Sequence, residues 1–239
     1  RDKEQSIGVT LGDKVSVATL WSTAEPDWRL ARAAIAFGSI ARVPDRDGVA
    51  ITGSLSRLNV EQWQGVAALA SPEAQGGGAA RGTQLPVSLD LRIGTIEAMG
   101  RELHEAVLRV QRRPDLWGGQ ISSREVEGSI DWIPTGRGRL IARLARLHIP
   151  EATSAITPTE SSPTRGQDLP AIDVTAQSFR VGAMDLGRLE LRAVPNGPTW
   201  QLQRLDLHNP DAHLTAEGAW QLLRGKPRTQ LAVRLEVED

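Results

Sequence analysis

Alternation of apolar and polar side chains dominates this sequence, and the stretch LGRLELRAVPNGPTWQLQRLDLHNPDAHLTAEGAW at residues 186–220 shows it best. On an extended chain, Leu189 and Leu191 fall on one side and Glu190 falls on the other. A period of two residues is typical of a β-strand with one apolar face, because successive side chains point to opposite faces of a sheet. The PNGP segment at 195–198 interrupts the pattern, so the stretch predicts strands joined by tight turns.

The alternation shifts phase once within this stretch. Trp200 and Leu202 continue the first phase, and Leu205 and Leu207 follow the second. The second phase then continues through Ala212, Leu214, Ala216, Gly218 and Trp220. The same period appears in other runs, at Leu85, Val87, Leu89, Leu91 and Ile93, at Ile172, Val174 and Ala176, and at Leu231, Val233, Leu235 and Val237. These runs predict a mostly β chain.

Composition excludes several classes of function. The chain has 28 basic and 29 acidic residues, so it lacks the excess positive charge that nucleic-acid binding requires, and we expect no nucleic-acid partner. It contains no cysteine, which excludes thiolate zinc sites, iron–sulfur ligation and disulfides. We find no apolar run near the length of a membrane-spanning helix and no secretory signal.

Three β-rich blocks separated by two linkers are predicted. They are residues 1–70, which end in a short helix, residues 85–150 and residues 169–239. The Gly/Ala-rich segment 71–84 and the Ser/Thr/Pro-rich segment 151–168 are the linkers, and we expect the second to be mobile. Asn59 is the predicted N-cap of the helix VEQWQGVAALA. The abrupt ends RDKEQ and LAVRLEVED lead us to expect a fragment of a longer protein.

A degenerate internal repeat accompanies the blocks. AMGRELHEAVLRV, from residue 98, aligns with AMDLGRLELRAV, from residue 183, and therefore predicts a strand where helix propensity alone would permit a helix. Trp28, Trp117 and Trp200 each follow a Pro-containing turn. Such Trp residues either plug the ends of a sheet or lie along the rim of an apolar channel, and the sequence leaves both interpretations open.

No convincing catalytic or ligand-binding motif emerges. His208, Asn209, Asp211 and His213 are close in sequence, but Asn and Asp around Pro210 are typical turn residues, and the two histidines are predicted to face opposite sides. His104 and His148 are isolated.

Three further features are weak as functional signals. The GGG at 76–78 lacks the Lys-Ser/Thr of a phosphate loop, and no carboxylate pair stands out. RGRLIARLAR at 137–146 is either a solvated face or a patch for anionic headgroups. We therefore predict no cofactor, no metal and no enzymatic activity.

The order of several short motifs resembles the YhdP family of AsmA-like bacterial envelope proteins. The motifs are Gly-x-Leu leading into a Trp-containing helix (residues 27–63), then Leu-Pro after a linker, a Leu-Gly-x-Leu strand, and Trp-x-Leu leading to Gly-x-Trp (residues 169–220). The resemblance implies a segment of a long periplasmic bridge. Other parts of such a protein anchor it in the inner membrane and reach the outer membrane. The resemblance also implies that phospholipid acyl chains slide along an apolar β groove.

Together these features predict an extended, twisted antiparallel sheet, curled into a groove, built from degenerate β repeats and carrying one or two short helices. The predicted role is phospholipid transport between the two membranes. The candidate groove residues are Leu189, Leu191, Leu202, Leu205, Leu207, Leu214, Trp220, Leu231, Val233 and Leu235.

Two alternative functions remain. One is a structural or adhesive β-repeat protein with a closed apolar core, and the other is an enzyme acting on envelope polysaccharide. In a closed sandwich a second sheet would cover Leu231, Val233 and Leu235, whereas in a groove these residues would be open. The sequence indicates no oligomeric state.

Overall fold

The computed structural model describes residues 4–24, 27–60, 62, 85–98, 101–113, 115–150, 169–223 and 226–237. Nearly all of these residues lie in β-strands, which confirms the predicted mostly β fold class. The chain divides into two compact units, Arg1–Pro114 and Asp115–Asp239. This division does not test the predicted three-block organisation, which stays a prediction.

The described residues of unit 1 form six strands, and their order in the sheet is their order in the chain. They are β1 (Glu4–Leu11), β2 (Val15–Ala24), β3 (Asp27–Phe37), β4 (Gly48–Asn59), β5 (Val87–Ala98) and β6 (Arg101–Arg112). β1/β2, β2/β3 and β5/β6 pair antiparallel. The strand predicted from residue 98 onward is confirmed as β6.

Two strand pairs of unit 1 differ in direction from the expected antiparallel sheet. β3 pairs parallel with β4, and β4 pairs parallel with β5. Parallel neighbours cannot be joined by a tight hairpin, because the chain has to return along the strand before it pairs again. The alternation of apolar and polar residues indicates on which face of the sheet a side chain lies. It does not indicate whether two neighbouring strands run parallel or antiparallel.

The connection between β3 and β4 lies against β2. Its Gly38 N–H donates to the Lys14 carbonyl at 2.9 Å, and its Ala41 N–H donates to Ser16 Oγ at 3.1 Å. Ala41 packs with Ala34 and Ala36, which are all buried. The small alanine side chains allow the connecting backbone to approach the strands closely, so the chain itself covers the face of β2 and β3 that carries Ser16, Ala34 and Ala36.

Eight strands, again in chain order, are formed by the part of unit 2 that the structure describes. They are β7 (Trp117–Ser122), β8 (Val126–Ile133), β9 (Arg139–Ile149), β10 (Ala171–Val181), β11 (Met184–Asn196), β12 (Thr199–His208), β13 (Ala212–Leu223) and β14 (Lys226–Val237). Every neighbouring pair is antiparallel except β9/β10, which is parallel.

A β-bulge produces the phase shift that is visible in the sequence. On β12, Leu202 pairs with Gly218 and Leu205 pairs with Ala216, so Gln203 and Arg204 together oppose Glu217. Two residues opposite one on the partner strand is the definition of a bulge. The bulge keeps Leu202 and Leu205 on the same face of the sheet.

The predicted helix and linkers fall mainly outside the described residues. Of the helix at 60–70 only Val60 and Gln62 are described, and the linkers 71–84 and 151–168 are not described at all. The predicted cap itself is present, because Asn59 Oδ1 accepts a hydrogen bond from the Gln62 N–H at 3.0 Å. This is the contact that an N-cap makes with the third helical residue.

Candidate functional site

Three rows of side chains cross unit 2 from β7 to β14 on one face, and we call them the apolar floor. The first row is Trp117, Trp132, Leu140, Ile172, Ala193, Leu202, Gly218 and Leu231. The second is Gly119, Ile130, Ala142, Val174, Leu191, Leu205, Ala216 and Val233. The third is Ile121, Gly128, Leu144, Ala176, Leu189, Leu207, Leu214 and Leu235.

Every position in these rows is an apolar residue or glycine. Residues that pair across neighbouring strands have their side chains on the same face, so the registers place the rows side by side. All the predicted groove residues lie on this face. Trp220, the one outside the three rows, pairs with Trp200 in the adjacent position. Whether these residues contact lipid stays a prediction.

The floor includes residues that the sequence analysis did not select. Ile130, Ala142, Leu144 and Val174 continue the rows onto β8, β9 and β10. The alternation of Ile172, Val174 and Ala176 was recognised, but it was not linked to a groove. The link was missed because β9 and β10 pair in parallel across the undescribed segment 151–168.

Exposure of the floor changes across unit 2. Leu189 on β11 is 4% exposed, whereas Leu231 and Val233 on β14 are 55% and 59% exposed. Neighbouring side chains in the same rows cover Leu189, while β14 has a strand on only one side within unit 2. No second sheet covers Leu231, Val233 and Leu235 in the part of unit 2 that the structure describes.

The opposite face of unit 2 carries the charges. Arg204 lies between Glu190 (3.4 Å) and Asp206 (2.9 Å), and Arg188 contacts Glu190 at 3.0 Å. His213 Nε2 lies 3.2 Å from Asp206 Oδ1 at the end of this chain of contacts. The sheet therefore separates an uncharged face from a face of paired charges, with no charge placed in the three rows.

The pKa of Asp173 on this face is lowered in the folded protein. Arg143 Nη1 donates to Asp173 Oδ1 at 2.7 Å. This hydrogen bond, together with the charges of Arg143, Arg192 and Arg139, lowers the pKa of Asp173 below its ordinary value, although partial burial opposes the shift. The ion pair fixes β9 to β10 on the face opposite the floor.

Four tryptophans of unit 2 lie at one end of the floor. Trp117 pairs with Trp132, and Trp200 pairs with Trp220. All four are half-buried on the floor face, near the ends where β7 and β12 begin. The registers place these four residues at one end of the floor, and the choice between the two interpretations stays open. The side chain of Trp28 lies outside the described residues.

The cluster around His208 and His213 is a turn. Asn209 Oδ1 accepts hydrogen bonds from the Asp211 N–H (3.0 Å) and the Ala212 N–H (2.8 Å), which closes the β12–β13 connection. The prediction that the two histidines face opposite sides was wrong, since they pair directly and their rings lie 5.4 Å apart. Because the two histidines pair directly across the turn, both side chains lie on the same face of the sheet. Counting residues along the sequence did not predict this pairing. Within the described residues no group of His, Cys, Asp and Glu is placed to hold a metal ion.

The other two histidines have local contacts. His104 Nε2 lies 3.4 Å from a Glu102 oxygen, and His148 Nε2 lies 3.1 Å from the Gly182 carbonyl. Neither arrangement joins a nucleophile to a base. We therefore assign both side chains to the structure of their strands.

Unit 1 has an apolar face of its own. One row is Leu11, Val15, Phe37, Gly53, Leu91 and Leu108, and the next is Val9, Val17, Ile35, Ile51, Leu89 and Val110. Leu91, Ile93, Ile96 and Ala106 form its buried cluster. Continuous apolar rows across paired strands are thus a property of each unit.

Comparison with protein families identifies the chain. The model of the family described as YhdP protein matches residues 1–239. The chain belongs to the YhdP family. YhdP is a family of envelope proteins with a role in lipid transport, and it is not a known enzyme family. Comparisons with curated proteins and with solved structures found no match.

Membership in the YhdP family agrees with the resemblance found in the sequence and with the open, mostly β structure. In the part of this YhdP chain that the structure describes, no helix has the length and apolar content needed to cross a bilayer. The apolar floor of unit 2, which the strand registers define, is the candidate site.

Proposed function

We propose that this chain is a segment of a periplasmic bridge that carries phospholipid between the inner and outer membranes. Acyl chains lie on the apolar floor while they move. Other parts of the full-length protein anchor the bridge in the inner membrane and reach the outer membrane. The observation that carries the proposal is the set of three rows without a charged or polar side chain across β7–β14.

The energetics of such a floor suit a moving lipid. Burial of each methylene contributes about 0.8 kcal/mol, so one acyl chain gains on the order of 10 kcal/mol when it leaves water. Each row repeats the same kind of side chain from strand to strand, which gives neighbouring positions similar affinities. A lipid is then held at every step without being trapped in one deep pocket.

The rival function, a closed structural sandwich, requires a cover for the same face. Leu231, Val233 and Leu235 are more than half exposed, at 55%, 59% and 58%. An exposed apolar stripe of this kind is typical of a surface that binds an apolar partner. The exposure favours the bridge over the sandwich.

Native mass spectrometry of the purified chain tests the proposal. We expect phospholipid to copurify and to be released as the collision energy rises. A chain that carries no phospholipid, and that takes up none from vesicles of phosphatidylethanolamine and phosphatidylglycerol, would contradict the proposal. The matched floor and outer-face variants described in the Discussion then show which face holds the lipid.

A further inference from the structure

A depression lies on the charged face of unit 2, opposite the apolar floor, at the end where β8 ends and β9 begins. Ile133 pairs with Arg139, and Arg139 pairs with Ala171, so these three side chains lie side by side. Each alternates along its strand with a residue of the floor, which places it on the other face of the sheet. The depression has a volume of about 600 Å³, within the range of sites that bind small molecules, and its lining also includes Arg137 and Val194.

Hydrogen bonds fix the walls of this depression. The Gly138 N–H donates to the Thr135 carbonyl at 3.1 Å, which closes the β8–β9 loop, and the Ala171 N–H donates to the Gly138 carbonyl at 2.9 Å. Arg137 Nη2 donates to the Gly197 carbonyl at 2.8 Å and so connects the β8–β9 and β11–β12 loops. A site whose walls are already held in place loses little conformational freedom when a ligand binds.

The described lining of the depression contains two guanidinium groups and no carboxylate. In the part of unit 2 that the structure describes, Arg139 has no hydrogen bond and no ion pair, and Arg137 uses one N–H on the Gly197 carbonyl. Both side chains are exposed. Because a guanidinium carries five N–H donors, most of the donors of both groups are available to a ligand.

The carboxylates on the strands beside the depression have other contacts. Asp173 on β10 accepts a hydrogen bond from Arg143 at 2.7 Å. Asp131 on β8 places a carboxylate oxygen over Gly118 of β7, where a Cβ would collide with it. β7 lies on the side of β8 that faces away from β9. Neither carboxylate therefore neutralises Arg139 by direct contact.

The lining indicates the chemistry of a ligand. A guanidinium binds a carboxylate through two parallel hydrogen bonds. Ile133, Ala171 and Val194 place apolar atoms beside the two arginines, and these atoms favour a ligand that carries an aliphatic group next to its charge. A C-terminal alanine has this combination, because its carboxylate and its methyl group are attached to the same carbon. Inorganic phosphate has the charge alone.

We propose that this depression binds the C-terminal carboxylate of a peptide that ends in a small aliphatic residue such as alanine. Arg139 and Arg137 bind the carboxylate, and Ile133 and Val194 contact the aliphatic side chain. The site lies on the face opposite the apolar floor, so it is separate from the proposed lipid path. It gives the charged face of unit 2 a binding role of its own.

Isothermal titration calorimetry of the unaltered chain tests the site with N-acetyl-alanyl-alanine. The peptide is used in its L,L and D,D forms, each as the free acid and as the C-terminal amide. We expect a free acid to bind and its amide to bind about tenfold more weakly or less, because the amide loses the charge-assisted hydrogen bonds. A preference for the D,D form assigns the site to cell-wall peptides, and a preference for the L,L form assigns it to the C-terminus of a protein.

Three results would overturn the proposal. The first is equal affinity for the acid and the amide, and the second is no binding of either acid at millimolar concentration. The third is displacement of the peptide by inorganic phosphate at an equal concentration, which would show a general attraction of anions to the arginines. None of these results bears on the apolar floor, so the proposed lipid function would stand or fall separately.

A matched pair of variants tests the role of Arg139. Arg139→Gln removes a cation from the depression, and Arg234→Gln removes an exposed cation from β14 on the same face of the sheet. We expect Arg139→Gln to weaken binding of the free acid about tenfold, the effect of losing a charge-assisted contact. Arg234→Gln should leave the affinity unchanged, and both variants should retain their phospholipid content because neither residue lies on the floor. Equal affinities of the two variants for the acid would contradict the role of Arg139.

Discussion

Leu191 on β11 lies directly opposite Leu205 on β12, although Ala193, two residues further along β11, pairs with Leu202. The bulge at Gln203 and Arg204 makes both pairings possible on the same face. Without the bulge, Leu205 would point to the charged face and the second row would be broken at β12. An irregular position in the strand thus preserves the regularity of the apolar floor.

Adjacent residues of β14 provide a matched test of the two faces. Leu231 lies on the floor and Gln230 on the opposite face, and both are exposed. We expect Leu231→Asp to reduce phospholipid copurification severalfold, because an acyl chain would have to desolvate an ionised carboxylate. Gln230→Asp should retain wild-type lipid content. The measurement is lipid per protein by native mass spectrometry, after circular dichroism confirms that both variants fold.

Leu191→Asp extends that test to the middle of the sheet. Leu191 is half-buried between Val174 and Leu205, so the carboxylate would remove lipid and also destabilise the fold. We expect a lower unfolding midpoint in urea than for Leu231→Asp. Equal midpoints for the two variants would contradict the difference in burial between β11 and β14.

Two glycines with positive φ distinguish backbone strain from steric collision. Gly187 has a φ of 73° and a Cβ there would collide with the His208 carbonyl, whereas Gly197 has a φ of 59° and open space around it. Gly197→Ala should cost about 1–2 kcal/mol of unfolding free energy, the cost of a left-handed alanine. Gly187→Ala should cost clearly more, because β11 or β12 has to shift. Urea denaturation monitored by tryptophan fluorescence measures both.

Asp173 predicts a pH-dependent contribution to stability. Its pKa is depressed in the folded protein by the hydrogen bond from Arg143 and by the neighbouring arginine charges. The stabilisation is therefore present above the ordinary pKa of 3.8 and is lost as the pH falls through the lower pKa of the folded state. Asp173→Asn should lower the melting temperature at pH 7, by the equivalent of less than about 1 kcal/mol for this partly exposed pair. The difference should shrink at pH 3, and an undiminished difference there would contradict the ion-pair explanation.

Asn209 provides a test of the turn between β12 and β13. Its side-chain oxygen accepts two backbone N–H groups, from Asp211 and Ala212. We expect Asn209→Ala to cost about 1–2 kcal/mol of unfolding free energy. Asn209→Asp should cost less, because it keeps the acceptor and loses only the exposed hydrogen bond from Asn209 Nδ2 to the Asp185 carbonyl. Addition of zinc should change the melting temperature of neither variant. A zinc-dependent stabilisation that disappears in His208→Ala would instead identify a metal site.

The alternation in the sequence was sufficient to predict β10 to β14 and the shared face of the candidate groove residues, but it did not single out β7, β8 or β9. The alternation also indicated the position of the bulge, because a β-bulge is the simplest cause of a phase shift between Leu202 and Leu205 within one strand. Strand direction was not predictable in the same way. β9 and β10 each alternate regularly, and their side chains carry no information on whether the two strands run parallel.

The extent of the floor was underestimated for a related reason. Ala142 and Leu144 belong to an Arg-rich run whose charges suggested a solvated face or an anion-binding patch. In β9 the charged and apolar side chains alternate between the two faces of the sheet. Arg143 lies on the charged face, and Ala142 and Leu144 lie in the floor. Only the register with β8 and β10 shows that the same segment contributes to both faces.

The parallel pairing of β9 with β10 has a consequence for how the chain acquires its structure. Hairpins such as β10–β11 and β12–β13 join residues close in sequence, and such contacts form on a timescale of microseconds. Ala171, by contrast, pairs with Arg139 far earlier in the chain, so a large loop has to close before the first contact is gained. Hairpins on each side of this junction are expected to form early, and the β9–β10 register is expected to be the slow step that joins them.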